Sequence, residues 1–235
     1  MSGEEFLAMV VPLDDISYVL LDLDGTLLDK HFDDTFWLEF VPERYCQKHG
    51  VSEVAAREFL FKIYKSHEGT TKWTDLDFWS NELKLDIPEL KRELGHLIDT
   101  LPHAEEFLLQ MKCAGRQIHL LTNAHHKSVS LKFELTGIGK HFDSVLTSNE
   151  LGAPKENQEY WEIASRKIGF DPERSIFIDD TETVLRAARE FGIKYVIHKA
   201  RSSSAKAPEG STEFPFITDF NELLSDNQTG AGRCK

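Results

Sequence analysis

The chain has 235 residues, 40% of them hydrophobic, enough for one sizeable core plus a smaller inserted domain, and no apolar run approaches the roughly 20 residues a membrane span needs. Its formal net charge of −13 and its lack of clustered Lys and Arg exclude tight binding to a nucleic-acid polymer. Cys46, Cys113 and Cys234 are odd in number and widely spaced, and the acidic start "MSGEEFLAMVVPLDD" lacks the positive region of an export signal, so a soluble protein of the reducing cytoplasm is expected.

The first predicted element is a strand from Ser17 to Asp22, inside the stretch "YVLLDLDGTLLD". An apolar run here leads straight into two aspartates separated by one leucine. Burying an unpaired carboxylate is costly, so Asp22 and Asp24 must emerge where a cation or water meets them. The long stretch that follows contains no convincing strand. It divides into four helical segments, "DDTFWLEFVPERYCQKHG", "SEVAAREFLFKIYKSHEG", "DLDFWSNELKL" and "PELKRELGHLID", punctuated by Gly50, Gly69 and Pro88. It is too long for a loop in a compact domain, which predicts a helical insertion over a sheet.

Further strands are predicted at 116–123, 142–150, 174–180 and 194–199. Amphipathic segments such as "AEEFLLQMKCAG" and "TVLRAAREFG" separate them, each with glycine at its expected C-cap. This alternation predicts an α/β fold, a parallel sheet wrapped by helices. The stretch "SSSAKAPEGSTE" reads as a polar loop and "SDNQTGAGRCK" as a disordered tail.

Compared at their carboxyl ends, the strands bring Asp22 and Asp24, Thr122 and Asn123, and Asp179 and Asp180 together, while Lys155 is expected to open the helix after the third strand. In an open α/β sheet, ligands bind in the crevice outside those ends. Several carboxylates, a hydroxyl and an ammonium suit a hard, oxygen-coordinated cation such as Mg2+ that holds a phosphate.

The segments "DLDGTLLD", "LLTNA", "GAPKENQEYW" and "FIDDTETVLRAA", in this order, resemble the four motifs of the haloacid dehalogenase-like (HAD) phosphohydrolases. The helical insertion is similar to the cap of the subfamily I members. Within that group, "LLDLDGTLLDKHFDDTFWLEFVPE", "DLDFWSNELKLDI", "LLTNAHHKSVSLKFELTGI" and "FIDDTETVLRAAREFGIKY" resemble the bacterial GMP/IMP nucleotidases.

The resemblance implies a Rossmann-like core from 1–29 and 104–221, a helical cap from 30–103 and a flexible tail from 222–235. It implies a Mg2+-dependent phosphomonoesterase acting on a small phosphorylated metabolite, a purine nucleoside monophosphate, with no membrane or obligate protein partner. Asp22 would be the nucleophile and Asp24 the general acid and base. The metal ligands would be an Asp22 carboxylate oxygen, the Asp24 main-chain carbonyl, Asp180 directly and Asp179 through water. Thr122 would donate to a phosphate oxygen and Lys155 would neutralise charge on the nucleophile and phosphoryl group. Asn123 is either a further substrate contact or only the cap of the next helix. Two positions depart from common subfamily patterns: Pro154 precedes the lysine instead of following it, and Val184 stands where many relatives carry an acid.

Most aromatics of the insertion are expected to pack as core, and Trp37, Trp73 and Trp79 are the candidates for stacking on a purine, Trp73 first. Lys62, Lys65 and Lys72 read as a solvated face. His125 and His126 diverge on a helix and lack a third soft ligand, so they read as surface or supporting residues. The alternatives are a sugar-phosphate or phosphoglycolate-type phosphatase, a phosphomutase, or a non-catalytic phosphate-binding module on the same fold.

Overall fold

The computed structural model describes residues 11–225. Six parallel strands form one sheet: β1 (Tyr18–Leu21), β2 (Gln117–Thr122), β3 (Ser144–Thr147), β4 (Ser175–Asp179), β5 (Tyr195–Lys199) and β6 (Phe216–Ile217). Their spatial order is β3-β2-β1-β4-β5-β6. The chain thus builds outward from β1 in one direction and then returns to build from β4 in the other. The β1–β4 seam is the switch point of the sheet, where a crevice opens at the strand ends.

The strands are almost wholly buried and mostly apolar because helices cover both faces of the sheet. Val19 and Leu21 of β1 face one hydrophobic cluster with Ile118, Leu120, Ile176 and Ile178. Leu20 faces the other, with Leu121, Phe177 and Trp161. Register pairs Leu21 with Ile178, and the Asp22 N–H donates to the Ile178 carbonyl at 3.0 Å, which sets Asp22 beside Asp179.

Between β1 and β2 the chain forms α1 (His31–Thr35), a π-turn (Phe36–Phe40), α2 (Val41–His49), α3 (Glu53–His67), α4 (Thr71–Thr74), α5 (Leu76–Leu83) and α6 (Ile87–Glu93). Pro42 has no N–H to give the preceding turn, and Arg57 donates to the Leu38 carbonyl instead, at 2.6 Å. Ser52, Asp75 and Asp86 cap α3, α5 and α6 with their side chains. These helices enclose a third hydrophobic cluster, with Phe36, Leu60, Tyr64, Trp79, Leu83 and Ile87 among its members. The two chain passages joining them to the sheet run side by side: Asp29 N–H donates to Asp99 and Leu101 N–H to Leu27, each at 2.9 Å.

The remaining helices are α7 (Ala104–Cys113), α8 (His126–Thr136), α9 (Ser148–Leu151), α10 (Gln158–Ile168), α11 (Glu182–Phe191) and α12 (Asn221–Ser225). The third strand is shorter than the 142–150 expected, because Thr147 and Glu150 form a capping box that turns the chain into α9. Lys155 therefore does not open the helix after β3; it lies in the turn between α9 and α10. Residues 222–224 belong to α12, with Leu223 and Leu224 in the core, so they are not part of a flexible tail; residues 226–235 of that expected tail lie outside the described residues. Among the described residues, Cys46 carries a free thiol. No helix among the described residues is long and apolar enough to cross a membrane.

Candidate active site

The carboxyl ends of β1, β2 and β4 open into a cavity of ≈ 750 Å3, roofed by the helices of residues 31–93. Its floor is ionic. Lys155, 2% exposed, donates to Asp179 at 2.6 Å and to Asp22. The turn that carries it is held by the Asn123 side-chain oxygen on the Lys155 N–H, at 2.9 Å, and by Trp161, whose indole donates to the Lys155 carbonyl at 2.8 Å. Asn123 also donates to Glu156 at 3.0 Å. Both ends of the Asn123 amide thus position the lysine turn, and the cap of α8 is the His125 side chain instead.

Asp179 accepts from the Thr181 N–H at 2.8 Å, and Asp180 accepts from Lys30 at 3.2 Å. Thr122, 1% exposed at the end of β2, accepts from the Ala124 N–H at 3.0 Å, which leaves its own proton free to donate into the cavity. Gly25 sits at φ +87°, and a Cβ there would lie 2.7 Å from the Asp180 carboxyl carbon. Only glycine lets the turn after β1 come this close to the acidic end of β4.

One carboxylate oxygen each from Asp22, Asp179 and Asp180 lies within 4.8 Å of the other two. Burial pushes the Asp22 carboxyl well above the usual range; Lys155 opposes this, and Asp179, Asp180 and Asp24 add to it. Crowded carboxylates served by one buried lysine carry excess negative charge, and an all-oxygen donor set that tight fits a small hard dication. Asp24 is held differently: Lys132, a residue the motifs did not point to, donates to it at 2.6 Å.

The roof is aromatic. Trp37, Trp73 and Trp79 all line the cavity, as does Tyr64, which meets the three tryptophan rings edge to face at 5.1 to 6.1 Å. Trp79 is 1% exposed and packs as core, whereas Trp73 is 40% exposed. The buried Tyr64 hydroxyl has no hydrogen-bond partner, and burial raises its pKa, so it stays a neutral donor. Lys62, Lys65 and Lys72 are exposed, as expected of a solvated face. His126 is exposed too, but His125 is buried and lines the cavity, with Nε2 3.7 Å from Asp75. Of the two expected placements, His126 takes the surface one and His125 the supporting one, because His125 is the N-cap of α8 and turns inward.

Sequence reasoning missed Lys30, Asp33, Lys91, Lys132 and Tyr64. A signal existed for Lys132: with Ser128 and Val129 it falls on the buried face of α8 by helical spacing. Asp33 gave none, since acidic residues at a helix start are common.

The sequence matches the haloacid dehalogenase-like hydrolase family over residues 16–192. The chain belongs to that family. It is 39% identical over 214 residues to the GMP/IMP nucleotidase YrfG of Escherichia coli K12, covering 89% of this chain and 95% of the relative. It is 25% identical over 204 residues to the pyrophosphatase PpaX of Bacillus velezensis, covering 83% and 90% respectively. A solved HAD phosphatase from Thermococcus onnurineus shares the fold, with a TM-score of 0.76, 22% identity, and coverage of 90% of this chain and 97% of that one. The protein is therefore an enzyme, a HAD-type hydrolase, with its cavity at the switch point of the family's α/β core.

Proposed function

We propose that the protein is a Mg2+-dependent phosphomonoesterase that works through an aspartyl-phosphate on Asp22 and hydrolyses purine nucleoside 5'-monophosphates, GMP and IMP above others. The observation that carries this reading is the juxtaposition of Asp22 with Asp179, Asp180 and Lys155 beneath an aromatic roof. The 39% identity to a GMP/IMP nucleotidase supports the substrate.

In the first step an Asp22 oxygen attacks phosphorus, the P–O bond to the nucleoside breaks, and Asp24 gives its proton to the departing alkoxide. In the second step water attacks the same phosphorus, Asp24 takes the water's proton, and the Asp22–phosphate bond breaks to release inorganic phosphate. Lys155 holds Asp22 and Asp179 in place and offsets charge on the phosphoryl oxygens, to which Thr122 donates. Asp22, the Asp24 carbonyl, Asp179 and Asp180 would hold Mg2+, which supplies charge stabilisation to the transferring phosphoryl group. Asn123 serves this chemistry by fixing Lys155. Residues 30–103 act as the cap and 11–29 with 104–221 as the core, residues 1–10 of the expected core lying outside the described residues; on this reading the cap reads the base, with Trp73 stacking on it. Its setting is the cytoplasm.

Purified protein assayed on a panel of phosphate monoesters, with Mg2+ and with excess chelator, tests the proposal. Activity confined to Mg2+ and greatest on IMP and GMP supports it. A preference for hexose phosphates or phosphoglycolate would move it to the sugar-phosphate or phosphoglycolate class, interconversion of sugar phosphates would make it a phosphomutase, and no turnover of any monoester would leave a binding module.

A further inference from the structure

Asp24 is one end of a chain of four ionisable groups, two buried lysines and two partly buried carboxylates. Lys132 on α8 donates to Asp24 Oδ1 at 2.6 Å and to Asp33 Oδ2 at 2.5 Å, and Lys91 on α6 donates to Asp33 Oδ1 at 2.6 Å. The Lys132 and Lys91 side chains are 2% and 3% exposed. Both ammonium groups lie near the Phe32 ring, Lys91 Nζ 4.8 Å and Lys132 Nζ 5.4 Å from its centroid. The network joins two lysines to two carboxyl groups, spans three separate parts of the chain, and leaves Asp24 Oδ2 without a partner among the described residues.

Burying two lysines and their carboxylates rarely stabilises a fold as well as apolar residues of similar size would. Such a network is better explained by the orientation it imposes. We propose that Lys132, itself clamped by Asp33 and Lys91, is the positioning residue for Asp24: it anchors Oδ1 so that Oδ2 is the oxygen that gives its proton to the leaving group. Lys132 touches no reacting atom. The proposal rests on the acid role of Asp24 given above, and the test separates the two.

Positioning of an acid matters in proportion to how much the leaving group needs a proton. A nucleoside alkoxide needs it, and p-nitrophenolate needs little. Lys132→Met should therefore lower kcat on IMP by roughly a hundredfold and on p-nitrophenyl phosphate by no more than a few-fold, the pattern expected of Asp24→Ala in stronger form. Asp33→Asn keeps the Lys132–Asp24 contact but loosens its clamp, and should show the same pattern at roughly a tenfold loss on IMP.

If Asp24→Ala separates the two substrates while Lys132→Met and Asp33→Asn lower both equally, the positioning role is wrong and the acid role stands. If Asp24→Ala itself lowers both equally, the acid role fails and takes the positioning role with it. Should Lys132→Met not fold, Asp33→Asn decides by the same split.

Discussion

The floor and the roof of the cavity are built on opposite principles. On the floor, polar groups sit at strand ends and are fixed by short, buried contacts: Lys155 to Asp179 at 2.6 Å, Thr181 N–H to Asp179 at 2.8 Å, Lys132 to Asp24 at 2.6 Å. On the roof, aromatic rings pack at 5 to 6 Å, and Trp73 stands on a four-residue helix after Gly69 with no capping side chain. A charged transition state needs donors that do not reorganise, which strand ends supply. A base needs area and shape, which a helical roof supplies and can vary without disturbing the chemistry below. On the proposed reading the floor determines the reaction and the roof the substrate, so substitutions on the two sides should fail in different ways.

The largest effect is expected at the centre of the floor. Asp22→Asn keeps the shape but removes the attacking charge, so turnover should fall at least about a thousandfold on every substrate alike, several kcal/mol of barrier. Excess EDTA should silence the wild type, and added Mg2+ should restore it. Full activity in chelator would take the metal out of the mechanism, and residual turnover in Asp22→Asn within tenfold of wild type would require another nucleophile.

Next in size is Gly25→Ala, which tests the floor through the backbone. The added Cβ would meet the Asp180 carboxyl carbon at 2.7 Å and would have to be accommodated at φ +87°. The turn carrying Asp24 must then draw back from the acidic end of β4. Mg2+ affinity measured by calorimetry should weaken by roughly tenfold or more, with activity falling on all substrates. An unchanged Mg2+ affinity would mean that the β1 turn and Asp180 do not share a metal.

Floor and roof also differ in how far the sequence disclosed them. The sheet was legible because parallel strands buried on both faces must be continuous apolar runs, and a carboxylate at the end of such a run needs a cation or water to face. Asp22, Asp24, Thr122, Asp179 and Asp180 stand at strand ends for that reason. Strand β6 has only two residues, Phe216 and Ile217, too short to leave a period. Asp33 and Lys91 were hidden because their partners are remote in sequence and a lysine on a helix is ordinarily solvated, whereas Lys132 left only its place on the buried face of α8 as a signal. The roof was legible as helices, yet which rings face the cavity depends on packing: Trp79 and Trp73 lie six residues apart, and one is buried while the other is half-exposed.

A substrate comparison sharpens the contrast without any mutation. IMP and GMP share a 6-oxo acceptor where AMP presents a donor, and Tyr64 is a neutral donor in the roof with no partner. We expect kcat/KM for IMP and GMP to exceed that for glycolate phosphate and hexose phosphates by at least about tenfold, since a buried hydrogen-bonding site can discriminate more strongly still. AMP should be the poorest purine. If AMP matches IMP and GMP, the roof does not read the 6-position, and the nucleotidase assignment fails while the phosphatase chemistry of the floor survives.

The smallest expected effect is the one that separates roof from floor most cleanly. Trp73→Ala removes a half-exposed ring that caps no helix and contributes no charge. Its indole meets Tyr64 edge to face at 6.1 Å and Trp79 at 6.4 Å, so the helical cluster keeps its buried members when the ring is lost. Stacking of this kind is worth about 0.5–1.5 kcal/mol beyond area burial. KM for IMP and GMP should therefore rise by roughly three- to tenfold, with kcat little changed, because the contact lies away from the phosphorus and acts on ground and transition states alike. The same variant should hydrolyse p-nitrophenyl phosphate as the wild type does. A parallel loss on that substrate would mean that Trp73 shapes the floor, and the division of labour between the two walls would not hold.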